Sequence, residues 1–367
     1  MPIYLGSHKL GDICKGSGSI ARGYYGSVLV YEKSQPQPSL PPYTMRFLFT
    51  SSEYNPTTST TSWKSGSTWS QVSASPNVWD YTRINSDWEG EFQNGFLEDT
   101  GSTRVLGANT SGVVNMANLF DMCEYLVEVP LFDTSSVTTM RYMFHGCTNL
   151  TTVPLFDTSR VTNSMIAMFY KCTSLTTVPL FNTANVTSMA AMFRECTSLT
   201  TVPQFNTANV TDMGSMFYEC TNLTTVPLFD TSRVTNSMNA MFYKCTSLTT
   251  VPLFNTSNVI DMGDMFYKCT SLTTVPLFDT SNVKYIENMF EWCTSLTTVP
   301  LFDTSNVKYM HGMFSLCFAV QSGSLALYQQ ASTQANPPIS HTNCFHDCGR
   351  DTVTGAAELA QIPSGWK

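Results

Sequence analysis

The chain has 367 residues, of which 42% are hydrophobic and only 13% charged, with a net charge of −8 and a pI near 5.1. That length holds two or three domains, and the absence of clustered Lys and Arg excludes a nucleic-acid surface. No run of about eighteen apolar residues occurs and Met1–Leu10 lacks a charged head followed by an apolar core, so neither membrane insertion nor a secretory leader is expected.

Residues 1–33 carry two related phrases, Tyr4-Leu-Gly-Ser-His-Lys-Leu-Gly-Asp-Ile13 and Ala21-Arg-Gly-Tyr-Tyr-Gly-Ser-Val-Leu-Val-Tyr31, whose alternation suits short strands. The Y-x-G-x-x-x-V-Y spacing resembles N-terminal segments of phage tail and other virion proteins, which implies a β anchor that contacts other virion proteins through residues 1–33. Residues 34–42 hold four prolines and read as a stiff extended linker. In 43–104, Met45-Arg-Phe-Leu-Phe49 reads as a strand, and Trp63, Trp69, Trp79 and Trp88 point to a small β domain or an N-terminal cap with the tryptophans in its core.

From Val113 to Cys317 one phrase returns nine times, in consensus V-T-x-M-x-x-M-F-x-x-C-T-S-L-T-T-V-P-L-F-D-T-S-N. Cys123, Cys147, Cys172, Cys196, Cys220, Cys245, Cys269, Cys293 and Cys317 recur at an even step, with one extra position in two of the steps, the mark of a solenoid. Both long steps carry an inserted Asn, at 163 and 236, so the three-repeat block around Cys147, Cys172 and Cys196 is duplicated whole around Cys220, Cys245 and Cys269. Val137, Met140, Met143, Phe144 and Cys147 fall at helical spacing and predict a two-turn helix, capped by Thr134 or Ser135. Leu150, Val153, Leu155 and Phe156 then fit a strand whose neighbours stack at roughly 4.8 Å. Pro154 and its equivalents limit that strand to two or three paired residues.

The phrase F-D-T-S-x-V-T-x-M-x-x-M-F-x-x-C-x-x-L-T resembles the repeat of BspA-like leucine-rich-repeat surface proteins, including those of phages of gut bacteria. The resemblance implies a right-handed solenoid over residues 105–317 and a recognition role without catalytic residues. Residues 318–367 read as a C-terminal cap. There Ser324–Gln330 predicts a helix, Cys344-Phe345-His346-Asp347-Cys348 matches M-F-x-x-C, and Leu359–Pro363 matches L-T-T-V-P, giving a degenerate final rung.

The nine repeat cysteines are expected as free, buried thiols, because side chains stacked in register rarely reach disulfide geometry. His341, Cys344, His346 and Cys348 lie close together in the chain, but the repeat register accounts for both cysteines; no metal is expected, and a Cys344–Cys348 bond stays open. None of the five histidines pairs with a nucleophile motif, so the expectation is no enzyme and no cofactor.

Comparison among the nine copies supplies a candidate site. The positions flanking M-F change while the core hardly varies, and they hold Tyr142, His145, Tyr170, Arg194, Tyr218, Tyr243, Tyr267 and Trp292. Aromatics mixed with charge are what protein and glycan interfaces use. The repeated Thr176–Thr177 and Thr200–Thr201 offer a second, lattice-like surface. The expectation is therefore an α/β solenoid of about nine 24–25-residue leucine-rich repeats preceded by small all-β N-terminal units. Its function is read as attachment of a phage virion to a host surface protein or glycan. A bacterial surface adhesin and a virion decoration protein are the alternatives. Homo-oligomerisation stays open.

Overall fold

Alternating Tyr, Val and Gly give the first strands. The computed structural model describes residues 40–52, 54–58, 65–93, 101–162, 164–235 and 237–367 in full, together with the backbone of strands at 4–5, 8–9, 22–25 and 28–32. The chain divides into two units, Met1–Pro41 and Pro42–Lys367. In the first, β1 (Tyr4–Leu5) pairs antiparallel with β2 (His8–Lys9), and β3 (Arg22–Tyr25) with β4 (Val28–Glu32). The expected linker, apart from residues 40–42, lies outside the described residues, as does Trp63.

The second unit opens with a sheet built on β5 (Thr44–Phe49), where Met45, Phe47 and Phe49 alternate inward and Arg46 pairs with Asp80 at 2.6 Å. β6 (Thr68–Ala74), β7 (Asn77–Thr82), β8 (Thr103–Asn109) and β9 (Leu126–Glu128) complete it in the order β6-β7-β5-β8-β9. All pairings are antiparallel except β8 with β9. β9 is already solenoid chain, so β8 runs across the expected boundary at 104/105 and one hydrophobic core continues from Met45 to Trp366. Trp79 and Trp88 are buried in it and Trp69 packs against it.

The repeats are solenoid rungs, and their local structure differs from expectation. Among the described residues, no repeat contains an α-helix. M-x-x-M-F-x-x-C is a run of tight turns in which the amides alternate in use. In one rung, Met143, His145 and Cys147 donate to the carbonyls of Met140, Tyr142 and Phe144 three residues back, at 3.1–3.2 Å. The amides between them, on Tyr142, Phe144 and Gly146, donate to Ile166, Met168 and Tyr170 of the next rung at 2.7–3.0 Å. Turning the alternate amides outward requires a left-handed residue twice per rung, four positions apart: Tyr142 and Gly146, Ala167 and Lys171, Ala191 and Glu195, and so on. A left-handed L-residue costs roughly 1–2 kcal/mol and breaks a helix; the inter-rung ladder holds it there. Inward spacing of three and four is common to this turn run and to a helix, which is why the periodicity suggested one.

The expected strand is also corrected. L-T-T-V-P-L-F is extended but carries little ladder, for instance Thr176 N to Thr151 O at 3.2 Å. Parallel bridges sit instead at the third residue of V-T-x-M, as in Ser188–Asp212 and Tyr285–Tyr309. The proline carbonyl accepts the amide of Phe two residues on, 3.0 Å from Pro154 to Phe156, which makes a tight turn. Leu155, expected inside, is 57% exposed. Capping by Thr134 or Ser135 is replaced by an Asx turn: Asp133 accepts from the Ser135 amide at 2.9 Å, while the buried Thr134 hydroxyl donates to Asp157 O in the next rung.

Phenylalanines form the spine. Phe92, Phe120, Phe144, Phe169, Phe193, Phe217, Phe242, Phe266, Phe290, Phe314 and Phe345 stack with successive centroids 5.1–6.1 Å apart. Trp88 and Gly90 donate to Asn115 and Ala117, so the W-E-G-E-F stretch is a rung in its own right, unrecognised in the sequence. At the other end, Cys344–Cys348 takes the M-F-x-x-C place beneath Trp366, with both thiols free and buried. α1 (Ser324–Thr333) holds the expected helix. Leu359–Gln361, expected to imitate L-T-T-V-P, instead ends α2 (Val353–Gln361).

Candidate functional site

The residue after each M-F occupies the same place on successive rungs, so its side chains meet their copies above and below at rung spacing. Six of the eight expected site residues share this column: His145, Tyr170, Arg194, Tyr218, Tyr243 and Tyr267. His145 stacks on Tyr170 at 4.7 Å, Tyr218 on Tyr243 at 4.3 Å and Tyr243 on Tyr267 at 4.6 Å. Arg194 fills the gap, its guanidinium carbon 3.8 Å from the Tyr218 ring centre and 5.4 Å from that of Tyr170. Such cation–π contacts contribute about 0.5–2 kcal/mol each. At the N-terminal end His145 Nδ1 lies 2.6 Å from Asp121.

Trp292 belongs to the neighbouring left-handed column and joins the ladder through Lys268, which sits 5.3 Å from Tyr267 and 5.5 Å from Trp292. Tyr142 stands in a third column and meets His145 edge-on at 5.8 Å. Lys244 bridges to Glu219 at 2.7 Å beside the tyrosines. The site residues are thus not the freely exposed outer face of a helix. Seven of them are half-buried and Trp292 is exposed, and in the ladder ring faces are covered by their neighbours.

Burial between Tyr218 and Tyr267 pushes the Tyr243 phenol well above its ordinary value, so it stays a proton donor. Asp264 lies on the Tyr267 rung, and Glu287 and Glu291 on the next. Burial raises all three carboxyls, and Asp261 adds to the effect on the first two. Two features escaped the sequence reading. Tyr285 and Tyr309, 39% and 37% exposed, stack at 5.3 Å in the bridge column. A cavity of about 300 Å³ is lined by Glu89, Asn115, Ala117, Thr139, Arg141 and Ser164, with Arg141 paired to Glu89 at 2.9 Å. Aromatics one repeat apart at Tyr285 and Tyr309 were the available signal; the cavity draws Glu89 from the unrecognised first rung and had none. Thr176, Thr177, Thr200 and Thr201 are exposed as a regular column.

The fold is similar to a leucine-rich repeat protein from Eubacterium ventriosum, with TM-score 0.42 and 18% identity over 71% of this chain and 67% of that one. It is also similar to a leucine-rich repeat protein of T. pallidum, with TM-score 0.32 and 19% identity over 57% of this chain and 81% of that one. Both scores lie below one half, and the solenoid stands on the chain's own ladders. No curated protein matches the sequence. Three overlapping stretches, residues 91–199, 151–250 and 224–328, match one family model and together span more than half of the chain, which therefore belongs to the family described as "Mycoplasma protein of unknown function, DUF285".

Proposed function

We propose that the chain is a non-enzymatic attachment protein whose solenoid presents the His145–Tyr267 ladder and Trp292 to a protein or glycan on a host surface or in mucus. The observation that carries this reading is the ladder itself: in-register tyrosines with Arg194 between Tyr170 and Tyr218 and with Lys244 and Lys268 alongside, on positions that differ from copy to copy while the core hardly varies. Tyr, Trp and Arg are the residues that dominate interface energetics. Stacking covers the ring faces, so the ligand is read through hydroxyls, ring edges and charges rather than by laying sugar rings on tyrosine.

The carrier is proposed to be a phage particle, joined through residues 1–33, on the support of their resemblance to virion segments. A bacterial surface adhesin is the second reading, favoured by the family description, which speaks of a Mycoplasma protein. Mass spectrometry of gradient-purified particles and of cell-surface fractions from the source tests the carrier. Stoichiometric amounts in particles are expected; presence only in the cell-surface fraction replaces the virion with the adhesin.

A further inference from the structure

The leucine of V-P-L-F forms an exposed column. Leu131, Leu155, Leu180, Leu228, Leu253, Leu277 and Leu301 are between 52% and 67% exposed and occupy equivalent places on successive rungs. Single exposed leucines are ordinary; an in-register row is not. Its exposed area, summed over the runs on either side of Gln204, is on the order of 700 Å², near the ~800 Å² that each partner gives to a standard interface. Some solvent-facing places differ among the copies, such as the Asp or Asn two residues later, whereas this leucine persists, as does, after the first copy, the threonine pair before Val-Pro. The single exception in the leucine column is Gln204, whose counterpart in the duplicated block is Leu277.

We infer that this column is a homodimer interface in which two copies pack their leucine rows antiparallel about a two-fold axis through Gln204. A row with a fixed rung spacing is matched along its whole length by another row of the same spacing, and a second copy supplies one. A two-fold contact pairs residue i with j and j with i. With the axis at Gln204, that glutamine meets its own copy. Leu180 then faces Leu228 of the second copy, Leu155 faces Leu253, and Leu131 faces Leu277. Every leucine except Leu301 finds a leucine. Gln204 Nε2 already donates to Leu228 O of its own chain at 2.8 Å, and its carbonyl and second N–H remain for the other glutamine. Shifting the rows by one rung sets Gln204 against leucine in both halves, so one polar position fixes the register, as a buried Asn does in a coiled coil. The dimer does not depend on the ladder's ligand.

The test is sedimentation of the full chain with light-scattering mass, combined with thiol cross-linking. Wild type is expected to be dimeric at micromolar concentration. Leu180→Asp with Leu228→Asp is expected to weaken the dimer by roughly a hundredfold or more, while the circular dichroism of the folded chain is unchanged. Gln204→Cys is expected to cross-link to itself, and Leu155→Cys, whose opposite is Leu253, is not. A monomeric wild type, a dimer that survives the double substitution, or self-cross-linking at 155 but not at 204 overturns the proposal. A monomer that instead pellets with phosphatidylcholine vesicles also overturns it and assigns the row to a lipid surface.

Discussion

At Cys220 the thiol is fully buried and donates to the carbonyl of Phe193 on the preceding rung at 2.9 Å. Its counterparts repeat the contact, from Cys147 to Phe120 at 3.1 Å through Cys317 to Phe290 at 3.0 Å. Burial pushes these thiols well above the ordinary range, so they stay protonated and serve as donors rather than nucleophiles. A thiol reagent at neutral pH is therefore expected to leave the eleven described cysteines unmodified in the native chain and to titrate all twelve after denaturation. Fewer than twelve would reveal disulfides. The period of the cysteines and their burial were legible in the sequence. The partner carbonyl was not, because it lies more than a full repeat back and depends on register. The left-handed positions left a fainter trace: Asn, Asp, Gly and Ala recur there, and among the described residues no β-branched one appears at any of them. Ala191→Val, which places a β-branched residue at φ 54°, is expected to lower stability by about 1–2 kcal/mol in chemical denaturation.

Each rung is the element of this fold, and its charge depends on its neighbours. Glu287 Oε2 is buried without a hydrogen-bond partner, and desolvation first, then Asp261 and Asp264, raise its carboxyl, with its own backbone amide and then His311 opposing. A carboxyl raised on folding contributes most to stability below its unfolded pKa, and that contribution is lost as pH rises through the folded value. Glu287→Gln is therefore expected to melt above wild type at neutral pH, with the gap closing as pH falls below the ordinary carboxylate range. The Asx turns act in the opposite sense. The hydroxyl and then the amide of Ser159 hold Asp157 below its usual value, as Ser232 does for Asp230; their stability is present at neutral pH and lost on acidification. Within the ladder, Arg194→Ala opens a gap between Tyr170 and Tyr218 and is expected to cost about 1 kcal/mol. The aromatic identity of these positions could be read from the sequence. Their mutual stacking could not, since equal spacing gives the repeat length but not whether adjacent side chains meet face to face or splay apart.

Across the whole second unit, one core runs from the β5 sheet to Trp366, so the cap, the rungs and the C-terminal helices stabilise one another by contact with neighbours. The repeat, its count of cysteines and its degenerate end at Cys344–Cys348 were visible in the sequence because copies can be compared with one another. The Trp88–Phe92 rung was not, because it shares no phrase with the array and is recognised only by its ladder to Asn115, Ala117 and Leu119. The strand pattern set Leu155 beside Leu150 and Val153, but the turn at Pro154 leaves it exposed. Attachment through the ladder is tested most directly by binding of the purified full chain to mucin-coated surfaces and to bacterial cell envelopes. Wild type is compared with Tyr218→Phe, Tyr243→Phe and Tyr267→Phe combined, which keeps the stacked rings and removes three hydroxyls. Binding by wild type and at least a roughly tenfold loss in the triple variant, at unchanged melting temperature, are predicted; equal binding by both would contradict attachment through the ladder.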